Sequence, residues 1–104
     1  MSGVNGDVRY SLRLYVNGAS EASLRAIDTL HRLCADLGDS NVEIEIIDVN
    51  EHPALVVRDR VLAAPTLIKA VPPPVRRLIG DLSDIERVRV ALDFHTVDAA
   101  DGES

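Results

Sequence analysis

Few of the residue types that carry out chemistry in proteins stand at useful spacings in this chain of 104 residues. The single cysteine, Cys34, cannot form an internal disulfide. It falls on the apolar spacing of a helix, which favours a packed small side chain over a reactive thiol. His31, His52 and His95 are scattered, with no second ligand at the spacing of a zinc or iron site. We therefore expect no metal and no cofactor.

Two carboxylates, Asp81 and Asp84, are close enough in sequence to suggest acid–base chemistry. A helix start explains them better, because Ser83 and Glu86 have the spacing of a capping box, in which each side chain binds the other residue's backbone amide. The sequence contains no glycine-rich phosphate loop and no serine-nucleophile elbow. These observations favour a protein that is not an enzyme.

The remaining candidates are four cationic side chains, Arg25, Lys69, Arg76 and Arg77, in a chain whose formal net charge is −6. That charge argues against a broad nucleic-acid interface, because phosphate binding needs a positive surface. One interpretation is that the four are solvated charges that offset nearby carboxylates. The other is a local docking surface, since arginine binds carboxylates through two hydrogen bonds and is enriched at interfaces.

A β-α-β unit is predicted for the first half of the chain. Residues 8–16 alternate apolar and polar side chains, which is the pattern of a strand with one apolar face. Ser20 is placed to cap an amphipathic helix, and Gly38 is placed to end it. Residues 42–49 alternate again, which predicts a second strand parallel to the first.

A hairpin that turns through three prolines is predicted for the second half. A short helix from Pro53 to about Arg60 comes before it. Residues 66–71 and 75–79 are apolar, partly β-branched and bounded by proline or glycine, so they should pair as strands. Residues 72–74 are prolines, which have no backbone N–H to give to a sheet and form the connection. A last helix is predicted from Ser83 to near Thr96.

The hairpin region resembles the KaiB clock proteins. The likeness rests on Ala64-Pro65-Thr66, on Lys69, on the run from Pro72 to Arg77 and on the run from Gly80 to Asp84, and it extends from about Tyr10 to Asp93. The predicted order β-α-β-α-β-β-α is that of an α/β, thioredoxin-like domain with a mixed four-stranded sheet. The resemblance implies one alternative, the KaiB ground-state tetramer fold with a rearranged C-terminal half.

The resemblance implies a function through binding. KaiB-like proteins are not enzymes; they bind the N-terminal ATPase ring of the hexameric clock ATPase KaiC, and in cyanobacteria the assembly captures KaiA and promotes KaiC dephosphorylation. By position, Arg25, Lys69, Arg76 and Arg77 would belong to or support the partner surface. Asp28 and Glu45 depart from the family pattern, because cyanobacterial members often carry lysine at both positions.

Two other functions are considered. A diverged KaiB-like module would bind a sensor histidine kinase or a stress-response protein. A thioredoxin relative would handle thiols or glutathione, and it would carry its thiols where the first strand meets the first helix, because a helix N-terminus stabilises a thiolate. That turn contains no cysteine; it reads Asn17-Gly18-Ala19-Ser20. The redox function is therefore disfavoured.

The resemblance also implies fold switching, in which a tetrameric ground state exchanges with a monomeric, thioredoxin-like binding form. Pro65, Pro72 and Pro74 would belong to the switch, and an X-Pro bond can be cis at a cost of only about 0.5–1 kcal/mol. Ala91 stands where the family often has glycine. Alanine inside a helix is favoured over glycine by roughly 0.8–1 kcal/mol, so the thioredoxin-like form is expected to dominate.

The ends of the chain and its composition predict the domain boundaries and the cellular location. Residues 8–96 should form one domain, with a flexible N-terminus at 1–7 and an acidic, flexible tail at 97–104. No secretory leader begins the chain, and no apolar run approaches the roughly 20 residues of a membrane span. Together with the lone cysteine, these features favour a cytoplasmic protein that does not enter the membrane.

Overall fold

A computed structural model describes residues 9–38, 42–80 and 82–92. Within these residues the elements follow the predicted order: β1 (Tyr10–Val16), α1 (Glu21–Leu37), β2 (Val42–Asp48), α2 (Pro53–Arg58), β3 (Thr66–Val71), β4 (Arg76–Ile79) and α3 (Ile85–Ala91). The two predicted tails, Asp81, His95 and Thr96 lie outside the described residues.

The four strands form one mixed sheet in the order β2-β1-β3-β4. Strand β1 runs parallel to β2 and antiparallel to β3, which pairs with β4 as the predicted hairpin. The sheet and its helices form an α/β, thioredoxin-like fold, as the sequence predicts.

Paired residues in neighbouring strands point to the same side of a sheet, so the strand register assigns each side chain to a face. One row across the sheet contains, in strand order, Ile44, Leu12, Lys69 and Arg76. The next row contains Glu45, Arg13, Ile68 and Arg77. The first row lies on the side that α1 and α3 cover, here called the α1–α3 face, and the second lies on the side that α2 covers, the α2 face.

The main core fills the α1–α3 face. It is a continuous cluster of buried apolar side chains from β1, α1, β3 and α3, among them Leu12, Leu14, Leu30, Leu33, Leu67, Val88 and Leu92. Removing one such side chain from water contributes about 1.5–3 kcal/mol, so this face provides most of the apolar stabilisation. The α2 face holds a smaller cluster of Tyr15, Ile47, Val61 and Ile68.

The ends of the helices show which capping predictions are correct. Ser20 caps α1 as predicted, because its Oγ accepts the amide hydrogen of Ser23 at 3.2 Å. The predicted Ser83–Glu86 capping box at α3 is wrong. Asp84 caps this helix instead, and its Oδ1 accepts the amides of Glu86 at 3.0 Å and Arg87 at 3.3 Å. The helix therefore starts one residue later, where Glu86 is too early to complete a capping box.

The position of Ala91 at the end of α3 weakens the prediction that its helix propensity favours the thioredoxin-like form. Ala91 is the last residue of the helix, and Leu92 is its C-cap. The preference for alanine over glycine applies to a helix interior. The thioredoxin-like fold is present, but helix propensity at Ala91 does not explain it in the way the sequence suggested.

Candidate functional site

The four predicted partner-binding residues do not form one cluster. Lys69 and Arg76 are register neighbours on the α1–α3 face, whereas Arg77 lies one residue further along β4 and therefore on the α2 face. Arg25 is carried by α1, on the same side of the sheet as Lys69 and Arg76. The structure divides the predicted set between two faces because side chains alternate along a strand.

Lys69 is not available at the surface of this conformation. Its side chain is 1% exposed, between the neighbouring strands and beneath the helices of the α1–α3 face. The prediction that Lys69 itself offers a surface charge is therefore corrected. The cause is its position two residues after Leu67 in a central strand, which turns both side chains to the core.

Arg25 and Arg76 remain exposed. The guanidinium of Arg25 lies 3.6 Å from the Glu21 carboxylate one turn earlier in α1, and its side chain is 56% exposed. Exposed ion pairs of this kind contribute little to stability, so Arg25 can exchange Glu21 for another carboxylate at small cost. Arg76 makes no ion pair with any residue in the described ranges, which leaves its guanidinium open to solvent.

Arg77 bonds to the backbone at the end of α2. Its guanidinium donates to the backbone carbonyl of Asp59 at 2.7 Å and to that of Arg60 at 3.2 Å. Both carbonyls follow the last turn of α2, where helix backbone oxygens lack partners within the helix. Arg77 therefore joins the edge strand β4 to the C-terminal end of α2, and its charge is favourable there.

Asp59 is the centre of a polar cluster that sequence reasoning missed. Its carboxylate accepts hydrogen bonds from Arg13 Nε at 3.0 Å, from Arg58 Nε at 3.1 Å and from the hydroxyl of Tyr15. Arg13 and Tyr15 precede Asp59 by 46 and 44 residues, so sequence spacing gave no direct signal. Tyr15 lies on the face of β1 opposite the apolar residues Leu12 and Leu14, next to the polar Arg13 on that face, yet its side chain is fully buried under α2.

The cluster shifts the pKa of its members. Partial burial by itself would raise the pKa of Asp59, but hydrogen bonds from Arg58 and Tyr15 and the charge of Arg13 lower it to about 2. The pKa of Tyr15 is raised by burial and by its hydrogen bond to Asp59. Arg58 has a raised pKa because it donates to the same carboxylate. Asp59 therefore stays ionised, and Arg58 stays charged, across the physiological range.

The turn between β1 and α1 occupies the place where a thioredoxin carries its thiols. Here the backbone N–H of Asn17 donates to Ser23 Oγ at 3.0 Å, and the Asn50 side-chain amide donates to Asn17 Oδ1 at 2.9 Å. Hydrogen bonds thus join this turn to α1 and to the turn that follows β2. The turn has no sulfur atom for dithiol exchange.

The three prolines singled out in the sequence all follow cis peptide bonds, namely Ala64-Pro65, Val71-Pro72 and Pro73-Pro74. The carbonyl of Pro65 accepts the amide of Gly80 at 3.2 Å, which closes the base of the hairpin. Within the described ranges, no three histidine, cysteine or carboxylate side chains are grouped so that they could hold a metal ion. No helix in the same ranges is both long and apolar enough to cross a bilayer.

A family model, described as the KaiB domain, matches residues 13–94. The chain belongs to the KaiB family. Among the relatives, a circadian clock oscillator protein KaiB from Prochlorococcus marinus is 48% identical over 85 residues, which cover 82% of this chain and 75% of the relative. A KaiB of the same description from Acaryochloris marina is 44% identical over 93 residues, 89% of each chain.

Solved structures support the thioredoxin-like fold of this KaiB-family chain. The N-terminal domain of Synechococcus elongatus SasA superposes with a TM-score of 0.68 at 22% identity, over 91% of this chain and 93% of that one. Mitochondrial thioredoxin 3 from Saccharomyces cerevisiae gives a TM-score of 0.66 at 15% identity, over 83% and 78% of the two chains. At these identities the likeness is one of fold.

Proposed function

We propose that this protein is a non-enzymatic regulatory binding protein that docks on the ATPase ring of a KaiC-like clock ATPase and modulates its phosphorylation cycle. The observation that carries the proposal is the KaiB-domain match over residues 13–94, in a chain with relatives named as clock oscillator proteins. The turn at residues 17–20 supports a role without redox chemistry, because it has no thiol.

The proposed docking surface uses Arg25 and Arg76. Both are exposed, both belong to the α1–α3 side of the sheet, and neither is held by a strong internal contact. Arginine at such positions can pair with carboxylates of a partner through two parallel hydrogen bonds. Lys69 is buried beside Arg76, its register neighbour, and so contributes to this surface only indirectly. Arg77 contributes indirectly as well, because it holds β4 against α2.

Asp28 and Glu45, the two departures from the family pattern, lie in different parts of the fold. The carboxylate of Asp28 is 3.1 Å from the Arg32 guanidinium one turn later, so its charge is offset on the helix itself. Glu45 lies on the α2 face beside Arg13, away from the α1–α3 side. Neither carboxylate therefore removes the charge of Arg25 or Arg76, and docking on the ring is retained in the proposal.

Binding to an immobilised KaiC-type hexamer, measured by interferometry in the presence of ATP, tests this function. Arg25→Glu and Arg76→Glu should each weaken binding at least about tenfold, because each replaces an attraction by a repulsion across the interface. Arg60→Asn, on the α2 side, is the matched control and should bind like the wild type. Charge-reversed variants that bind with unchanged affinity would contradict the proposal.

Failure of the wild-type chain to bind any KaiC-type ring would favour the alternative, a diverged module for a sensor histidine kinase or a stress-response partner. We further propose that the protein is cytoplasmic and monomeric in the thioredoxin-like form, with KaiA as a further partner where the host has one. Exchange with a tetrameric form through the segment of Pro65, Pro72 and Pro74 belongs to the same proposal. Light scattering should report a monomer; a stable tetramer would contradict the dominance of this form.

A further inference from the structure

The turn between β1 and α1 contains an exposed asparagine followed by a glycine, Asn17-Gly18. The amide of Ser20 donates to the carbonyl of Asn17 at 3.2 Å, which closes a β-turn over residues 17–20. Gly18 has a φ of 56°, which glycine adopts without strain at the first central position of such a turn. Because glycine has no side chain, the backbone nitrogen that follows Asn17 is open to approach.

The two groups that react when an asparagine attacks itself are both unshielded here. The nucleophile is the amide nitrogen of Gly18, and the electrophile is Cγ of the Asn17 side chain. The Gly18 amide makes no hydrogen bond with any residue in the described ranges. A Cβ placed at Gly18 would meet no heavy atom beyond its chain neighbours within 4 Å. Neither the fold nor a side chain therefore blocks the approach of the nitrogen or of water.

The oxygen that must take up negative charge during this attack already has a hydrogen-bond donor. Asn50 Nδ2 donates to Asn17 Oδ1 at 2.9 Å. Asn50 is itself held, because its backbone amide donates to Asp48 Oδ1 at 2.8 Å. As the ring closes, Oδ1 becomes an oxyanion, and a donor already placed at that oxygen stabilises the charge as it develops. The contact is exposed to solvent, so we expect from it the effect of one ordinary hydrogen bond.

We propose that Asn17 is a site of spontaneous deamidation in the folded protein, with Asn50 as the hydrogen-bond donor to the reacting side chain. The amide nitrogen of Gly18 loses its proton to hydroxide and attacks Cγ of Asn17. An N–Cγ bond forms, the Cγ–Nδ2 bond breaks, and ammonia leaves with a proton taken from water. The product is a cyclic succinimide. Water then opens the ring at one of its two carbonyl carbons, which gives either aspartate or isoaspartate at position 17.

The two products should affect the turn differently. Aspartate keeps the normal backbone, and its carboxylate can still accept the hydrogen bond from Asn50. Isoaspartate carries an additional carbon in the main chain. The amide of residue 17 then cannot keep its 3.0 Å bond to Ser23 Oγ while the carbonyl of residue 17 keeps its bond from Ser20. Isoaspartate should therefore loosen the start of α1, whereas aspartate should not.

Peptide mapping of the aged, full-length protein tests this site. The chain is incubated at several pH values from neutral to mildly alkaline, digested with trypsin and analysed by chromatography with mass spectrometry. Cleavage at Arg13 and Arg25 releases residues 14–25, in which Asn17 is the single asparagine. Conversion in the folded chain should be no more than about tenfold slower than in a synthetic peptide of residues 14–25. It should speed up as the pH rises, because the nucleophile is a deprotonated amide.

The variant Asn50→Ala tests the donor. It should slow the conversion of Asn17 by about threefold to tenfold, the effect expected for one hydrogen bond. Glu51→Ala, at the next exposed position of the same turn, is the matched control and should leave the rate unchanged. Asn5-Gly6 is the same dipeptide and is released separately in residues 1–9, outside the described residues. Its rate in the same samples should be equal in all three proteins.

The products are tested by their stability. Asn17→Asp reproduces the normal product and should melt at the same temperature as the fresh wild type. The fraction of aged protein that contains isoaspartate, separated by ion-exchange chromatography, should melt at a lower temperature than Asn17→Asp. Equal melting of the two would contradict the predicted loosening of α1.

Three outcomes of the mapping would overturn the proposal. They are an Asn17 that stays unmodified in the folded chain while the synthetic peptide converts, a rate that does not depend on pH, and an Asn50→Ala variant that converts as fast as the wild type although its circular dichroism is unchanged. None of these experiments contains an ATPase, so their failure leaves the proposed ring docking untouched, and failure of ring docking leaves this site untouched.

Discussion

The two faces of the sheet are stabilised in different ways. On the α1–α3 face, apolar side chains from both β1 and β3 pack under two helices, and Lys69 is the exception among them. On the α2 face, a short helix covers only a few apolar side chains, and the carboxylate of Asp59 joins that helix to β1. Apolar packing is distributed over many residues, whereas the polar cluster concentrates its effect on one carboxylate.

Because of this difference, substitutions at the surface of the two faces should affect the fold differently. A distributed core tolerates changes at its outer surface, so exposed residues such as Arg25 and Arg76 can be altered for a partner without loss of the fold. The polar cluster holds several arginines in fixed positions around one residue, which creates a charged surface but makes that surface dependent on Asp59. Substitutions on the two faces test this contrast, beginning with the one that should destabilise the protein most.

The largest effect is expected from Leu14→Ala in the core of the α1–α3 face. Leu14 is fully buried, so the substitution leaves a cavity and should lower the free energy of unfolding by roughly 3–5 kcal/mol. Leu24→Ala on the outer side of α1, where leucine is 53% exposed, is the control and should cost below about 1 kcal/mol. Urea denaturation measures both; equal losses would contradict the assignment of the core.

Asp59→Ala should be the most damaging polar substitution on the α2 face. It removes the acceptor shared by Arg13, Arg58 and Tyr15, and the buried Tyr15 hydroxyl loses its charged partner. We expect a loss of about 3 kcal/mol in the free energy of unfolding. Asp28→Ala, which removes only an exposed helix pair, should cost below about 0.5 kcal/mol under the same conditions. A loss at Asp59 as small as that at Asp28 would show that the cluster is not a structural centre.

Because of Asp59, the free energy of unfolding should depend on pH in the acid range. The pKa of Asp59 is about 2 in the folded protein, below its ordinary value of 3.8. A lowered folded pKa means that the stabilisation is complete above about pH 4 and is lost as the pH falls through about 2. Between pH 5 and pH 2 the wild type should therefore lose about 2 kcal/mol more than Asp59→Asn, in urea titrations at each pH. Parallel losses in the two proteins would exclude Asp59 as the source.

Arg77→Gln should have a smaller effect. It removes the charged hydrogen bonds to the carbonyls of Asp59 and Arg60 at an exposed site, which should cost about 1 kcal/mol. Arg76→Gln is the matched control in the same strand, and it should stay within about 0.5 kcal/mol of the wild type. A reversed order of these two arginines would contradict the division of β4 between the two faces.

Local patterns were sufficient to predict the elements. Alternation over residues 10–16 identifies β1, Ser20 fixes the start of α1, and the prolines at 72–74 separate β3 from β4. These signals are reliable because each depends on neighbours along the chain. Even so, Asp84 replaces Ser83 as the cap of α3, since two adjacent residues could both serve and the sequence does not choose between them.

The site was harder to predict because it depends on which strands become neighbours. From its residue type alone, Lys69 is expected at the surface. The strand order places β3 between β1 and β4, where Lys69 is buried. Its position two residues after Leu67 already indicated that it lies on the same face as that core residue. The Asp59 cluster joins residues more than 40 positions apart.

Ring docking is proposed to use the α1–α3 side of the sheet and to leave residues 57–62, at the end of α2, without contact. Amide chemical-shift mapping of the isotope-labelled protein, with the N-terminal ATPase domain of a KaiC-type protein added, distinguishes the two faces. We expect chemical-shift changes at residues 21–32 of α1 and at residues 75–79 around β4, with residues 57–62 unchanged. Changes centred on residues 57–62, with none along α1, would contradict it.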